Sequence, residues 1–390
     1  MSDLAHPIEF ELIETDEGLR ALQPEWDELY ARARPANPFL SFSWTRICRE
    51  QIGGYSRPWV LLVRREGRLA GIAPLRLERR LGFRVLRFIG DGRSDYLGFL
   101  EAADEVGVRS ALLEELSRRR SQWDVAVLRQ LAGPYTALSQ AGAPKTLRAH
   151  RILGTTAPFL AEDLSWDELL ARGPGWLKRM AKAARKWEKE GGTVARYVGA
   201  EASAHAGEVA AVEARSWKAR QGVARFQPGR GQALLRSALD ELGARGEMEL
   251  WIARMDGRPS AFEINFLPEG KLWLYQGTYD EEFYKRSPGG VLDFLSIQRA
   301  WSEGRREYDF LSGDEPYKLE RTNAARSIQY LALHPYTARG VLAFNTLVAP
   351  RWRLKNVRSA RSALGLWVQV RNNPAALLPA PMGRYLRPLG

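Results

Sequence analysis

A repeated turn motif constrains the fold of this chain more than any other feature. Arg65-Glu66-Gly67-Arg68 joins two apolar runs, and Met255-Asp256-Gly257-Arg258 joins two further apolar runs 190 residues later. An acidic residue followed by glycine between apolar runs is typical of a tight β-hairpin. A helix and a strand then follow each hairpin at a similar offset, in Ser110–Leu128 and Gly290–Leu311. The sequence therefore predicts two copies of one mixed α/β domain.

The repeat divides the chain into four predicted parts. The two copies occupy residues 8–150 and 196–335, and a tail covers residues 336–390. Residues 151–195 form a connecting segment that contains a basic helix, Leu177–Lys189. The lysines of this helix either form a solvated face or hold an anionic donor or lipid headgroup.

The positive charge is concentrated in the tail. Of a net charge of +12, 11 basic residues and no acidic residue follow Glu320, which leaves 47 basic and 46 acidic residues before that point. A neutral body with a basic tail indicates a polyanionic partner, namely an anionic membrane, nucleic acid or a phosphorylated substrate. At helical spacing, Arg351–Arg371 presents a tryptophan-containing apolar stripe opposite its basic residues. We expect residues 339–390 to lie on an anionic membrane surface, the alternative being a helix packed on the protein body.

Several classes of protein are excluded by what the sequence contains. Cys48 is the only cysteine, so neither an intramolecular disulfide nor a cysteine-based zinc site can form. The four histidines show no metal-ligand spacing, and we expect no metal. The sequence has no apolar run long enough to span a membrane and no signal-peptide pattern. We therefore expect a cytoplasmic protein, peripheral on the inner face of the membrane.

The strongest chemical motif is a strand that runs into a glycine-rich turn and a helix. The strand contains Leu272–Thr278, and the turn reads Tyr284-Lys285-Arg286-Ser287-Pro288-Gly289-Gly290-Val291. Glycines let the backbone approach a ligand closely, and the first amides of a helix attract anions. The motif predicts a site for a phosphate or pyrophosphate, although an ordinary strand–loop–helix connection has the same pattern.

The next strand brings a family resemblance. Tyr308-Asp309-Phe310-Leu311-x-Gly313-Asp314-x-x-Tyr317-Lys318, the Arg286–Leu292 turn and Ser94-Asp95-Tyr96-Leu97 resemble the GNAT acyltransferase superfamily, in its bacterial cellulose and exopolysaccharide acetyltransferase branch. That branch is similar in architecture to the Fem peptidyl transferases, which have two GNAT-like halves. Weaker echoes are Pro38-Phe39-Leu40-Ser41 and Ser216-Trp217. The resemblance implies an α/β fold of two tandem GNAT-like domains, to which this chain adds the basic tail.

The resemblance also implies an acyl donor, but the donor-binding loop of this chain departs from the GNAT pattern at one position. A GNAT donor loop reads Gln/Arg-x-x-Gly-x-Gly/Ala; Arg286 and Gly289 match, but Val291 stands at the last position and the glycine is displaced to Gly290. No cofactor is expected to be permanently bound, and acyl-CoA is the implied co-substrate. The predicted donor-binding residues are Tyr275, Gln276, Gly277, Arg286, Ser287, Gly289, Gly290 and Val291.

Five residues are candidates for the chemistry. By the resemblance, Tyr317 is the acid that protonates the leaving group, the alternative being a packed tyrosine. Lys318, beside Asp314 and Glu315, either pairs with a substrate phosphate or carboxylate or is a solvated lysine. Glu263 lies on a strand where alternation leaves two readings, a solvent-facing residue or a base in the cleft. Asp95 follows a strand of the first copy and is either a turn former or a cleft residue. Trp217 is interpreted as core.

The resemblance implies acyl transfer to an amine or hydroxyl group. With a membrane-bound tail, the expected acceptor is an envelope lipid or a lipid-linked glycan, and one form is fatty N-acylation of a long-chain base, as in a ceramide synthase. The alternatives are acetyl transfer in exopolysaccharide synthesis, Fem-like transfer from aminoacyl-tRNA, and a non-catalytic lipid- or nucleic-acid-binding scaffold. Nucleic acid is not expected as a partner except as tRNA.

Overall fold

The computed structural model describes residues 8–33, 37–52, 54, 56–140 and 142–350. The predicted helix Arg351–Arg371 and the rest of the tail beyond residue 350 lie outside the described residues. Within them, one compact unit is formed by 8–49, 54–157 and 325–350, and a second by 158–324 together with 50–52. The chain is a mixed α/β protein, as predicted.

The described chain contains thirteen strands. They are β1 (Ile8–Ile13), β2 (Arg57–Arg65), β3 (Arg68–Arg80), β4 (Phe83–Phe88), β5 (Leu100–Glu101), β6 (Val125–Ala132), β7 (Leu147–Ala161), β8 (Gly192–Val198), β9 (Met248–Met255), β10 (Arg258–Phe266), β11 (Lys271–Tyr279), β12 (Glu307–Asp309) and β13 (Ala324–Pro335).

The same residues form thirteen α-helices. They are α1 (Asp16–Ala21), α2 (Gln23–Arg32), α3 (Phe42–Ile52), α4 (Val108–Arg118), α5 (Thr136–Gln140), α6 (Trp166–Arg172), α7 (Gly175–Lys189), α8 (Ala206–Ala214), α9 (Trp217–Arg220), α10 (Arg230–Ala238), α11 (Pro288–Ser302), α12 (Pro316–Arg321) and α13 (Ala338–Leu347). None of the helices in the described ranges combines the length and the apolarity that crossing a bilayer requires.

The two units contain the same strand order. In the first, β1, β2, β3 and β4 pair in antiparallel succession and β4 then pairs with β6 in parallel. In the second, β8, β9, β10 and β11 do the same, and β11 pairs with β12 in parallel. The two repeated turns have matching conformations, with positive φ at Glu66 and Gly67 and at Asp256 and Gly257. Positive φ at both central residues defines the tight hairpin turn that the motif predicts.

Each unit receives its next strand from the opposite half of the sequence. In the first unit β6 pairs with β13, and in the second β12 pairs with residues 159–161 of β7. The predicted boundaries therefore differ from the units: residues 325–335 belong to the first unit, and 158–195 belong to the second instead of forming a connection. Local sequence patterns do not reveal such an exchange, because both pairings join strands that are far apart in the chain.

The basic helix α7 is an integral part of the second unit. Its buried residues Trp176, Leu177 and Ala181 join a core that also contains Ile297 and Trp301 of α11. The polar side of α7 carries the lysines predicted from the sequence. Packing of one apolar stripe with a basic opposite face is the ordinary arrangement of a surface helix.

Candidate active site

Two parallel strands separate in the second unit and leave a cavity. β11 and β12 pair from Lys271–Glu307 to Trp273–Asp309. Beyond that point β11 continues to Tyr279, whereas the residues that follow β12 turn away from it. The turn is fixed locally: Asp309 Oδ1 accepts a hydrogen bond from the Leu311 amide at 2.7 Å, and Leu311 has a positive φ. A bulge in β11 opposite the Ile264–Asn265 step also changes the direction of the strand.

The cavity has a volume of about 380 Å³, within the range of small-molecule sites. It is lined by β10, β11, the N-terminus of α11 and the segment that contains α12. The lining residues are Trp217, Phe262, Glu263, Leu274, Gly277, Thr278, Tyr279, Tyr284, Ser287, Gly289, Gly290, Asp293, Glu315, Tyr317 and Arg321. Six of the residues predicted from the sequence are thus brought together here: Glu263, Gly277, Ser287, Gly289, Gly290 and Tyr317.

Glu263 is a buried carboxyl group at this cavity, only 1% exposed. Its Oε1 accepts hydrogen bonds from Asn265 Nδ2 at 2.8 Å and from the Tyr308 hydroxyl at 3.1 Å. Among the described residues, its Oε2 has no hydrogen-bond partner. The solvent-facing interpretation of Glu263 is wrong, because α8 and α11 both pack against β10.

Burial, together with the nearby Glu249 carboxylate, raises the pKa of Glu263 to about 7. The hydrogen bonds from Asn265 and Tyr308 and the hydroxyl of Ser296 oppose this shift. Asn265 Nδ2 also donates to Glu249 Oε1 at 3.1 Å, so one amide bridges the two carboxyl groups. A carboxyl group with a pKa near neutrality can accept and release a proton under physiological conditions.

Tyr317 lies across the cavity from the strands, on α12. Its ring packs against Phe310 with the centroids 6.3 Å apart, and the Arg321 guanidinium lies 5.2 Å from its ring centroid. Burial raises the pKa of its phenol, and the carboxylates of Glu315 and Glu263 raise it further. The hydroxyl is therefore protonated at neutral pH.

Lys318 and Asp314 are not among the residues that line the cavity in the described structure. Lys318 is buried, and its Nζ donates to Ser312 O at 3.0 Å and lies 3.1 Å from Glu315 Oε2. Gly313 makes this contact possible: it has a φ of 139°, and a Cβ there would lie 2.1 Å from the Glu315 carboxylate. Lys318 thus holds the turn, while Asp314 is exposed and does not line the cavity in the described structure.

The predicted donor loop is partly occupied by protein contacts. Arg286 Nε lies 3.3 Å from Glu190 Oε2, and a Cβ on Gly290 would lie 2.4 Å from Met180 Sδ of α7. Val291 is buried in the core, and Tyr275 packs against Phe266 with the ring centroids 5.3 Å apart. Gly290 is therefore required for helix packing, and it also borders the cavity together with Ser287 and Gly289.

Lys218 is a polar residue of this site that the sequence did not single out. Its Nζ donates to Gln276 Oε1 at 2.8 Å and to Gly277 O at 2.9 Å, on the part of β11 that extends beyond β12. Burial, together with the charge of Arg225, lowers its pKa to about 8. Trp217, interpreted from the sequence as core, is half-buried and lines the cavity.

Asp95 is not among the residues that line this cavity. It is 4% exposed, and its Oδ1 accepts a hydrogen bond from Gln130 Nε2 at 3.4 Å. The adjacent Ser94 hydroxyl accepts a hydrogen bond from Trp44 Nε1 at 2.8 Å, and Tyr96 packs edge-on against Phe39. The first-half motifs Ser94-Asp95-Tyr96-Leu97 and Pro38-Phe39-Leu40-Ser41 thus form one packed cluster.

The comparisons with known proteins agree with this architecture. Residues 177–319 match the family described as "Acetyltransferase (GNAT) domain". The matched residues lie within the second unit, and the match confirms the predicted GNAT superfamily. No curated protein matches this chain in sequence.

Solved structures extend the likeness over most of the chain. FemX has 13% identity and a TM-score of 0.58, covering 87% of this chain and 99% of its own. The C-terminal domain of a putative lysylphosphatidylglycerol synthetase from Agrobacterium fabrum has 11% identity and a TM-score of 0.52, covering 85% and 96%. A protein of unknown function from Bacteroides thetaiotaomicron has 13% identity and a TM-score of 0.54, covering 84% and 100%. At these identities the likeness shows a common fold, Fem-like in its two halves.

Proposed function

We propose that the second unit is an acyl-CoA-dependent acyltransferase, acting on an amine or a hydroxyl of an envelope lipid or lipid-linked glycan at the cytoplasmic membrane surface. The observation that carries the proposal is the buried Glu263, which has a pKa of about 7 and lines a cavity between two separating strands. Fatty N-acylation of a long-chain base, as in a ceramide synthase, is the form that best combines an amine acceptor with a membrane location.

In the proposed reaction, the acceptor amine attacks the thioester carbonyl, a C–N bond forms and the C–S bond breaks. Glu263 takes the proton that the nitrogen loses, because it lines the cavity and its Oε2 has no hydrogen-bond partner in the described part of the chain. Tyr317 supplies a proton to the departing thiolate. Backbone amides of Tyr275–Thr278 are proposed to stabilise the oxyanion, since β11 has no β12 partner there.

Transfer from aminoacyl-tRNA is the second candidate, and the donor loop favours it. Arg286 is paired with Glu190, and Gly290 packs on Met180, so both are engaged in contacts that a coenzyme A pyrophosphate would have to replace. Breaking these contacts reduces the net affinity for such a ligand. An aminoacyl ester has no pyrophosphate that this loop would have to bind.

A transfer assay read by mass spectrometry tests the proposal. Purified full-length protein is incubated with acyl-CoAs of increasing chain length and a long-chain base, with and without RNase, and in parallel with aminoacyl-tRNA. We expect an N-acylated base that is insensitive to RNase and is lost in Glu263→Gln but retained in the matched variant Asp95→Asn. Product from aminoacyl-tRNA alone, abolished by RNase, would replace the first proposal with the second.

A further inference from the structure

The hairpin between β3 and β4 has an unusual tip. It contains two exposed arginines, Arg79 and Arg80, followed by Leu81, which is 75% exposed and has a φ of 48°. Such a backbone conformation ordinarily favours glycine, asparagine or aspartate. Neither burial nor the turn geometry therefore explains a leucine at this position.

An open groove rich in arginine borders the hairpin. Its volume is about 890 Å³, and its lining includes Arg57, Arg76, Arg79, Arg80 and Arg84. Three of these are ion-paired: Arg57 with Glu14, Arg76 with Glu78, and Arg84 with Asp124. Arg79 and Arg80 form no ion pair within the described part of the chain, so the groove presents two uncompensated positive charges.

The helix α13 adds an apolar stripe to the same unit. Its Ala343 and Phe344 are buried in the core, while Val341 and Leu342 are 40% and 57% exposed. At 100° per residue, Ala338, Val341, Leu342 and Asn345 form one exposed stripe without an acidic residue. This side of the helix has no protein partner in the described structure.

Arg339 connects the helix to the hairpin. Its guanidinium donates to Gly82 O at the hairpin tip, and its Nε donates to Asp124 Oδ2 at 3.0 Å. Asp124 is also the partner of Arg84 in the groove, at 2.8 Å. The hairpin tip, the arginine groove and the beginning of α13 are therefore neighbours.

We infer that these residues form a docking surface for an anionic lipid bilayer, with Leu81, Val341 and Leu342 entering the interface and Arg79 and Arg80 contacting lipid phosphates. The inference rests on the proposed function only for the location of the enzyme, and not for its chemistry. Apolar side chains flanked by arginines are the combination that binds an anionic membrane surface.

Charge complementarity favours a bilayer over other occupants. The chain's own segment 351–390 carries eight basic residues and no acidic one, so repulsion opposes its packing on an arginine-rich surface. Single-stranded nucleic acid is ordinarily bound by basic residues together with aromatic stacking platforms, whereas the exposed residues here are aliphatic. An anionic bilayer matches both the charge and the aliphatic side chains.

Flotation of the full-length protein with vesicles of phosphatidylcholine, with and without phosphatidylglycerol, tests this surface without any substrate. We expect binding only to the anionic vesicles, and a loss of about 30-fold in Arg79→Gln/Arg80→Gln, from about 1 kcal/mol per arginine. Leu81→Asn, which suits the backbone conformation, should weaken binding about tenfold. The controls are Arg172→Gln/Arg236→Gln, two exposed arginines of the second unit, and Val106→Asn, another exposed aliphatic residue of the first.

Unchanged binding in the hairpin variants, or equal losses in the controls, would overturn the inference. So would equal binding to neutral vesicles, or binding of polyuridylate that the arginine variant loses while vesicle binding persists. Thermal unfolding of each variant establishes that it is folded. Because no substrate is present, a failure of the acyl-transfer assay leaves this result independent.

Discussion

The first unit and the second unit differ at the opening that lies beyond the end of a parallel strand pair. In each unit a parallel strand pair ends early, at Leu86–Ala126 in the first and at Trp273–Asp309 in the second. In the first unit the chain after β4 enters this region, and the Leu97 amide donates to Gln130 O of β6 at 2.8 Å. In the second the equivalent region is a cavity bordered by Glu263.

The same strand arrangement thus surrounds a packed polar cluster in the first unit and a cavity in the second. In the first unit, the buried Ser94 hydroxyl is hydrogen-bonded within the cluster and contributes to stability, while the neighbouring Gln130 Oε1 has no hydrogen-bond partner in the described structure. In the second, Glu263 Oε2 and Thr278 Oγ1 are buried with no hydrogen-bond partner in the described structure, and both residues line the cavity. Buried polar atoms without partners are costly unless a ligand satisfies them, which favours a substrate at this position.

Exchanging one carboxyl group in each unit gives the largest expected contrast. Glu263→Gln should lower kcat by about 10²–10⁴-fold, the usual contribution of a general base. Asp95→Asn should leave kcat unchanged and lower the thermal unfolding temperature, because Asp95 belongs to a packed cluster. Transfer rates and unfolding curves of both variants measure this. A large loss of kcat in a well-folded Asp95→Asn would give the first unit a part in the chemistry.

The two tyrosines of the corresponding motifs give the next contrast. Tyr317→Phe removes the proposed acid and should lower kcat about 100-fold, at the lower end for a general acid. The matched variant is Tyr96→Phe, whose ring is packed in the first unit. It should retain the wild-type kcat and KM. Equal activity of Tyr317→Phe with an acyl donor would exclude Tyr317 as the acid.

A third contrast concerns glycines in tight contacts between elements. Gly290→Ala should lower the free energy of unfolding by about 1–3 kcal/mol, because its Cβ would lie 2.4 Å from Met180 Sδ. Adding Met180→Ala should restore part of that loss and also the activity. A Cβ on Gly71 of the first unit would lie 2.2 Å from Val108 Cγ1, and its alanine variant should lose stability without a change in kcat per folded molecule. Denaturant unfolding distinguishes these cases. If the stable double variant remains inactive, Gly290 contributes to donor binding, as predicted from the sequence, and not only to helix packing.

The smallest expected effect is in the pH profile. Glu263 acts as a base only when ionised, so activity should rise with pH through its pKa of about 7. The Lys218 ammonium, which donates to Gln276 and Gly277 of β11, loses its charge as the pH rises through about 8. This weakens its hold on the β11 backbone beside the cavity, so activity should then fall. Each limb changes by about tenfold per pH unit. Lys218→Arg should keep the acidic limb and move the alkaline limb upward, which a kcat/KM profile detects; an unmoved alkaline limb would exclude Lys218 as its origin.

The repeat was predictable because its signal is local. The turns at Glu66-Gly67 and Asp256-Gly257 require positive φ, and an acidic residue followed by glycine is the sequence pattern that predicts such a turn. The exchange of β7 and β13 was not, since it depends on pairing between distant strands. Glu263 was ambiguous because alternation assigns a strand an exposed face, whereas β10 has helices packed against it. Lys218 carried no signal, because only the folded position of β11 makes its ammonium a partner of Gly277.

The most direct measurement is a crystal structure of the full-length protein with a thioether analogue of a long-chain acyl-CoA, which cannot undergo transfer. The proposed site predicts electron density for the acyl carbonyl region between β11 and β12, within hydrogen-bonding distance of the β11 backbone and beside Glu263 and Tyr317. Density in the first unit's counterpart of this opening, or an empty second-unit cavity under conditions where calorimetry shows binding, would contradict it.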